Sequence, residues 1–219
     1  MFIGHYAVAL AAKPAARRAP LWALVLAVQW PDLLWPILLL AGVEQVRIDP
    51  GNTAFTPLDF VHYPVSHSLA LDLLWGALLG AFFLWRLRDG RAAVVLGLSV
   101  VSHWVLDWVT HRPDLPLWPG GPRVGLGLWN SVPATLVIEL LLVAVGLFLY
   151  TRATGARDRT GRWAFWGLVG FLGLVYVGNV VGPPPPSETA IAWVTLGLWL
   201  LVPWAAWIDR HRVTAADGP

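Results

Sequence analysis

Six long apolar runs divide the chain, and they constrain its fold more than any other feature. They cover roughly residues 20–43, 68–86, 91–110, 130–150, 162–182 and 189–208. Each run is long enough to cross a bilayer as a helix, which needs about 20 residues. A seventh run, residues 2–12, is too short to span alone and predicts a short N-terminal helix. The sequence therefore predicts an all-α, polytopic transmembrane bundle with about six spans, in which residues 1–219 form a single integral membrane domain.

The composition agrees with a lipid environment. Only 13% of the residues are charged and 57% are hydrophobic, whereas a soluble domain has about 25% charged residues. The 15 tryptophans suit the membrane interface, where the ring is buried and the indole N–H is hydrated. Cysteine is absent, which excludes disulfides, iron–sulfur clusters and thiolate-bound metals.

The basic residues predict how the chain is oriented. Twelve of the 15 lie in the loops before the first run, between the second and third, between the fourth and fifth, and after the sixth. Because cytoplasmic loops are rich in Lys and Arg, we expect these loops and the C-terminus in the cytoplasm. The long loops 44–67 and 111–129 then face outward. The net charge of +2 is explained by arginines in these loops, so no nucleic-acid partner is expected.

The third run carries a stripe of polar side chains. His103, Asp107 and His111 follow one another every four residues in "VVSHWVLDWVTHRPD". A helix turns about 100° per residue, so these side chains share one face. An ionisable side chain at mid-bilayer costs about 2.5–3.5 kcal/mol and needs a partner. The stripe favours either a metal site with imidazole and carboxylate ligands or a His–Asp hydrogen bond that fastens two spans.

Another polar position lies in the middle of the first run, in "AVQWPDLLWP". Pro31 and Pro36 lack the N–H groups that would continue the helical ladder, so we expect a kink around Asp32. Broken backbone at membrane depth is tolerated only where protein or a wet cavity covers it. Asp32 is therefore predicted to face the bundle interior, either as a metal ligand or as a carboxyl group that burial keeps protonated.

Three further histidines extend the candidate ligand set. His62 and His67 flank a proline turn at the outward end of the second run, and His5 lies in the short N-terminal helix. A lone histidine on an apolar helix is more often a buried, hydrogen-bonded core residue than a ligand. Here, however, five of the six histidines fall in these few segments. The candidate metal ligands are His5, Asp32, His62, His67, His103, Asp107 and His111.

These donors indicate the available chemistry. Imidazoles and carboxylates without sulfur suit Zn²⁺, or Mn²⁺ or Fe²⁺, as one or two ions. A zinc site with an open position lowers the pKa of bound water to about 7 and polarises an ester or phosphoryl oxygen. Asp107 and Glu139 are the candidate catalytic groups, while Asp72 and Asn130 are weaker candidates. No GxSxG motif, P-loop or dinucleotide fingerprint is present, so activated water is the hydrolytic mechanism that the sequence supports.

The order of these short motifs resembles that of a bacterial family of inner-membrane metal-dependent hydrolases, also called LexA-binding. The matching residues are Gly4-His5, Pro31-Asp32, His62 to His67-Ser68, Ser102-His103 with Asp107, and Trp118-Pro119. The resemblance covers roughly residues 1–120 and implies a membrane-bound metal-dependent hydrolase. The family's ligand pattern is similar to that of zinc-dependent phospholipase C, which by analogy implies a phosphoester substrate.

Two positions depart from the pattern of that family. Leu34 stands where members often have a second acidic residue, in Pro-Asp-x-Asp, and His111 stands where many have proline. His111 therefore either replaces a lost ligand or lies beside a mononuclear site, which leaves the number of metal ions open.

Together these features predict a multi-pass protein of the bacterial inner membrane that hydrolyses a lipid or lipid-linked phosphoester in the outer half of the membrane. Residues 1–150 would form the metal-site core and residues 151–219 two scaffold spans, because the last two runs have no ionisable side chain in their interiors. The alternative is a non-catalytic protein, either structural and partner-binding or a proton-coupled transporter, whose His/Asp groups fix packing or relay protons.

Overall fold

The computed structural model describes residues 1–214, and most of them are helical. The helices are α1 (Ile3–Ala12), α2 (Leu21–Val28), α3 (Trp30–Leu40), α4 (Leu69–Leu87), α5 (Gly90–Thr110), α6 (Val132–Ala153), α7 (Arg159–Val181), α8 (Glu188–Leu196) and α9 (Leu201–Arg210). Short antiparallel pairs connect β1 (Gln45–Ile48) with β2 (Leu58–His62), β3 (Leu115–Pro116) with β4 (Arg123–Val124), and β5 (Thr154–Ala156) with β6 (Arg212–Thr214). The last five residues of the predicted single domain, 215–219, lie outside the described residues.

The long helices match the six apolar runs. Four of them, α4 to α7, and the continuous stretch of α8 and α9 are each long and apolar enough to cross a membrane. The bent pair of α2 and α3 makes a sixth span when it is counted as one. Many large apolar side chains on these helices are exposed, among them Trp85, Val181 and Val194, as lipid-facing positions should be. The prediction of an all-α bundle with about six spans and a short N-terminal helix is confirmed.

The first span is broken where its prolines predict a kink. Helices α2 and α3 meet at Gln29 and differ in direction by 54°. Pro31 lies in the first turn of α3, where a missing N–H has no cost, and Pro36 stays inside that helix. At the break, the carbonyl oxygen of Val28 accepts a hydrogen bond of 2.8 Å from Nδ1 of His103. The kink therefore supplies a backbone acceptor to a histidine on α5.

Glycines allow the helices that carry the polar residues to approach closely. A Cβ atom at Gly97 of α5 would lie 2.8 Å from the carbonyl oxygen of Gly76 in α4. A Cβ atom at Gly146 of α6 would lie 2.5 Å from the carbonyl oxygen of Ala7 in α1. Small residues commonly permit such backbone contacts between membrane helices. They set the positions of α1 and α5, and hence of His5 and His103.

The two long loops meet at one end of the bundle. The guanidinium of Arg112 binds the carboxylate of Asp59 at 2.5 Å, and the N–H of Phe55 donates to the carbonyl of Trp129 at 3.0 Å. Asp59 also binds Arg47 across the β1–β2 hairpin at 3.1 Å. These contacts hold loops 44–67 and 111–129 over the polar residues of the first three spans.

We predict that Gly146→Leu destabilises the protein because the added side chain meets backbone, which moves only if α1 moves. The loss should be about 1–3 kcal/mol, seen as a lower midpoint of thermal unfolding in detergent. Gly173→Leu in α7 is the matched control, since a Cβ atom there has no neighbour within 4 Å among the described residues. Equal midpoints for the two variants would contradict the proposed close contact.

Candidate metal centre

Asp107 lies at the centre of a buried group of imidazoles. Its Oδ2 atom is 3.2 Å from Nε2 of His103, one turn earlier on α5, and 3.8 Å from Nε2 of His67. Its Oδ1 atom is 3.1 Å from Nε2 of His5 on α1. His5 and His103 are fully buried, and their rings stack with centroids 3.7 Å apart. His5, His67 and His103 are far apart in the sequence, yet each of them presents its Nε2 atom to the carboxylate of Asp107.

Asp32 provides a second carboxylate from the kinked span. Its Oδ1 atom lies 3.4 Å from Nε2 of His67 and 3.7 Å from Nε2 of His103. Its side chain is 21% exposed, compared with 3% for Asp107, so it is the more accessible of the two acids. The side chains therefore form two groups of potential metal ligands, and within each group the ligand atoms lie within 4.8 Å of one another. The first group is His5, His103 and Asp107. The second group is Asp32, His67 and His103.

Hydrogen bonds determine which ring nitrogen of His103 and of His67 faces the cluster. Nδ1 of His103 donates to the carbonyl oxygen of Val28, so Nε2 is the ring nitrogen that faces the two carboxylates. This Nε2 is buried and has no hydrogen-bond partner among residues 1–214. Nδ1 of His67 lies 2.6 Å from the hydroxyl oxygen of Ser66, which in turn donates to Oε2 of Glu44 at 2.6 Å. Such outer hydrogen bonds are what orient histidine ligands of metals in proteins.

Glu44 was not among the residues identified from the sequence. It is 1% exposed and also accepts the backbone N–H groups of Val65 and Ser66, both at 2.8 Å. These bonds fix the loop that carries His67. A lone glutamate in a long polar loop gives no signal of this role, and the adjacent Ser66-His67 pair was the only local hint.

His111 lies at the edge of the cluster. It caps the C-terminal end of α5, with Nε2 3.9 Å from Oδ2 of Asp107. Its Nδ1 donates to Oδ1 of Asp114 at 3.0 Å, and the hydroxyl of Tyr63 donates to the same oxygen. Burial alone would raise the pKa of Asp114, but hydrogen bonds from His111, Tyr63 and Arg112 hold it below its usual value. Asp114 is therefore a carboxylate that sets the orientation of His111.

The remaining candidates lie outside the cluster. His62 is exposed at the end of β2, opposite Gln45. Glu139 on α6 is buried, and its Oε2 accepts the backbone N–H groups of Phe2 at 3.1 Å and Gly4 at 3.0 Å. It thus holds the first turn of α1, the helix that carries His5. Asn130 is exposed in the loop before α6.

Two further groups belong to the surroundings of the centre. Asp72 in the first turn of α4 is fully buried, and neither carboxylate oxygen has a hydrogen-bond partner within the described part of the chain. The positively charged amino nitrogen of Met1 contacts Oδ1 of Asp107 and lies 3.2 Å from Oγ1 of Thr110. Met1 therefore lies against the central carboxylate of the cluster.

A family model described as "YdjM inner membrane protein" matches residues 1–183. The chain belongs to the YdjM inner membrane protein family. The match includes every residue of the His/Asp cluster and extends through α7. It agrees with the prediction of a multi-pass inner-membrane protein. No curated protein and no solved structure matches the chain.

In this member of the YdjM family, we predict that any zinc ion held by the cluster would bind about 10- to 100-fold more weakly after Ser66→Ala. The substitution breaks the link from Glu44 to His67, so the imidazole loses its fixed orientation. Zinc titration against a competing chelator measures the effect. Ser68→Ala is the matched control, since the Ser68 hydroxyl is also buried but has no hydrogen-bond partner in the described structure. Equal affinities for the two variants would show that the link has no influence on the site.

Proposed function

We propose that the cluster binds Zn²⁺, or less favourably Mn²⁺ or Fe²⁺, and that the protein is a membrane-embedded hydrolase of a lipid or lipid-linked phosphoester. The observation that carries this proposal is the convergence of the Nε2 atoms of His5, His67 and His103 on two carboxylates inside an apolar bundle. Each of the two groups of potential ligand atoms offers two imidazoles and one carboxylate oxygen, a donor set typical of catalytic zinc.

The donors support one complete site more directly than two. Both groups of potential ligand atoms include His103, and its single free Nε2 atom binds one ion. A second ion would depend on the other oxygen of Asp107 and on His111, whose Nε2 is 3.9 Å away. The proposal is therefore one well-coordinated ion, with His111 as the residue that would complete a second position.

Each residue of the cluster would have a separate role in the proposed hydrolysis. His5, His103 and Asp107, one of the two groups of potential ligand atoms, would hold the ion, and His67 lies beside them. Bound zinc lowers the pKa of water and polarises a phosphoryl oxygen. Asp32 would accept the proton of the attacking water, because it is the most exposed carboxylate of the cluster. Glu139 would contribute indirectly by holding α1 in place.

The predicted orientation places this centre in the outer half of the inner membrane, with the C-terminus in the cytoplasm. Loops 44–67 and 111–129 contain only three of the 15 basic residues, and they contribute His67 and His111 to the cluster and its edge. Under the positive-inside rule, that end of the bundle faces outward. The substrate would then be a lipid whose phosphoester lies at the outer interface.

One observation favours a non-catalytic alternative. Asp107 already contacts the amino nitrogen of Met1 and Nε2 of His5, and these groups can satisfy a buried carboxylate without a metal. The cluster would then fix α1 against α5 or relay protons. The metal content of the purified protein separates the two functions.

We predict that the protein purified in detergent contains about one zinc ion per chain, measured by elemental analysis. His103→Ala should reduce zinc to a trace because it removes a ligand common to both groups of potential ligand atoms. His62→Ala should retain the metal because His62 lies outside the cluster. Trace metal in the wild type, unchanged by His103→Ala, would leave the packing role as the better explanation.

We further predict zinc-dependent release of phosphorylated headgroups from vesicles of phosphatidylethanolamine and phosphatidylglycerol. A chelator should abolish release and added zinc should restore it. Asp32→Asn should slow release about 100-fold through loss of the proton acceptor, while His62→Ala should leave it unchanged. Release that is insensitive to both the chelator and Asp32→Asn would exclude this centre as its source.

A further inference from the structure

An apolar cavity of about 650 Å³ lies beside the cluster at the same end of the bundle. Its walls are formed by segment 50–58 of the first long loop, Trp129 of the second loop, the C-terminal end of α7, the proline turn 183–186 and α8. Its volume falls within the usual range for small-molecule sites, which is roughly 300–1,000 Å³. The last two spans, predicted as scaffold, therefore form part of a ligand-sized space.

The lining of the cavity selects for an uncharged, hydrophobic ligand. Within the part of the chain that the structure describes, no Asp, Glu, Lys, Arg or His side chain lines it. Trp35, Phe55, Phe60 and Trp129 contribute aromatic surface, and the polar contribution is limited to small threonines and Asn179. A hydrocarbon chain fits this lining, whereas a free phosphate or another soluble anion finds no charged side chain within it.

The cavity is lined both by an exposed apolar residue of α8 and by Met1, which contacts the cluster. Val194 lines it and is 77% exposed on α8, in a stretch that is long and apolar enough to span the membrane. At the other side, Met1 and Phe2 line it. The amino nitrogen of Met1 contacts Asp107. A chain that enters between α7 and α8 therefore ends near the proposed metal ligands.

Two tryptophans of the lining have unused hydrogen-bond donors. The Nε1 atoms of Trp35 and Trp129 are buried and have no acceptor among residues 1–214. Both side chains are more than nine-tenths buried, at 4% and 8% exposure. Buried indole N–H groups usually have a partner, so these two point to an acceptor supplied by a ligand. The ester carbonyl of an acyl chain is such an acceptor, whereas a polyprenyl chain has none.

We propose that the cavity binds an acyl chain of a bilayer glycerophospholipid, whose ester carbonyl accepts a hydrogen bond from Trp35 or Trp129. The headgroup phosphate then lies toward the His/Asp cluster. This assignment names the substrate class of the proposed hydrolase, and it rests on that proposed function for the fate of the phosphate.

Photocrosslinking tests where the acyl chain binds. The probe is phosphatidylglycerol with a diazirine at the end of one ester-linked acyl chain, added in detergent at one equivalent to the full-length protein. We expect peptide mapping to place the crosslinks in segment 50–58, at Trp129 and on α8. Crosslinks confined to lipid-facing positions such as those of α4 would overturn the proposal.

Cavity-filling variants provide the matched comparison. Ala190→Phe and Ala54→Phe fill the cavity from two different walls and should reduce crosslinking in it about tenfold. Ala81→Phe adds the same side chain to an exposed position of α4 and should have no effect. Crosslinking that is unchanged in a folded Ala190→Phe or Ala54→Phe protein contradicts the proposal.

The hydrogen bond from the indole N–H groups to the ester carbonyl is tested by comparing the binding of two lipids, a measurement that does not require hydrolysis. Native mass spectrometry counts retained diacyl and dialkyl-ether phosphatidylglycerol. Replacing both tryptophans, as Trp35→Phe with Trp129→Phe, should reduce retention of the ester lipid about three- to tenfold and leave the ether lipid unchanged. Equal effects on both lipids would refute the carbonyl contact, even if the variant is less stable.

These readouts separate the two proposals. Crosslinks in the cavity from a protein that holds no zinc would support the acyl-chain site and refute the hydrolase. Zinc-dependent hydrolysis without cavity crosslinks would support the hydrolase and refute the acyl-chain site.

Discussion

The burial of Asp107 is the constraint on which the rest of the structure depends. An ionised carboxylate inside an apolar bundle is unstable unless charge and hydrogen bonds surround it. Here the compensating groups come from α1 through His5, from the loop before α4 through His67, and from α5 itself through His103. Since each group belongs to a different part of the chain, satisfying one carboxylate brings together elements that are distant in the sequence.

The irregular parts of the fold serve the same centre. The break between α2 and α3 gives His103 a backbone acceptor and places Asp32 near the shared nitrogen atoms. The buried Glu44 orders the loop that carries His67. Neither feature adds to the apolar core, and both orient a side chain. This is the expected consequence of building a polar site in lipid, where every exposed backbone or side-chain polar group needs a protein partner.

The sequence predicted the spans, the kink and most of the clustered residues. Each of these depends on residues that are close together in the chain: the length of an apolar run, the position of a proline and the spacing of polar residues along one helix. His111 shows the limit of the repeat: α5 ends at Thr110, and the stripe reaches only the edge of the cluster. The link through Glu44 and the contact of Glu139 with α1 join residues far apart in the chain. Such pairings depend on how spans rotate and how loops fold back, which local patterns do not encode.

The shape of the centre also bears on what can react there. A hydrolase that acts on a membrane lipid must bring water and a hydrocarbon-bearing molecule to the same few atoms. Asp32 is the most exposed carboxylate of the cluster, and the cavity at the same end of the bundle is lined by Val194, which is exposed on α8. A site that only fastened helices together would need neither an accessible acid nor an apolar space of this size. An accessible acid and an apolar space at the same end of the bundle are therefore the two features that the proposed lipid hydrolase requires of its site.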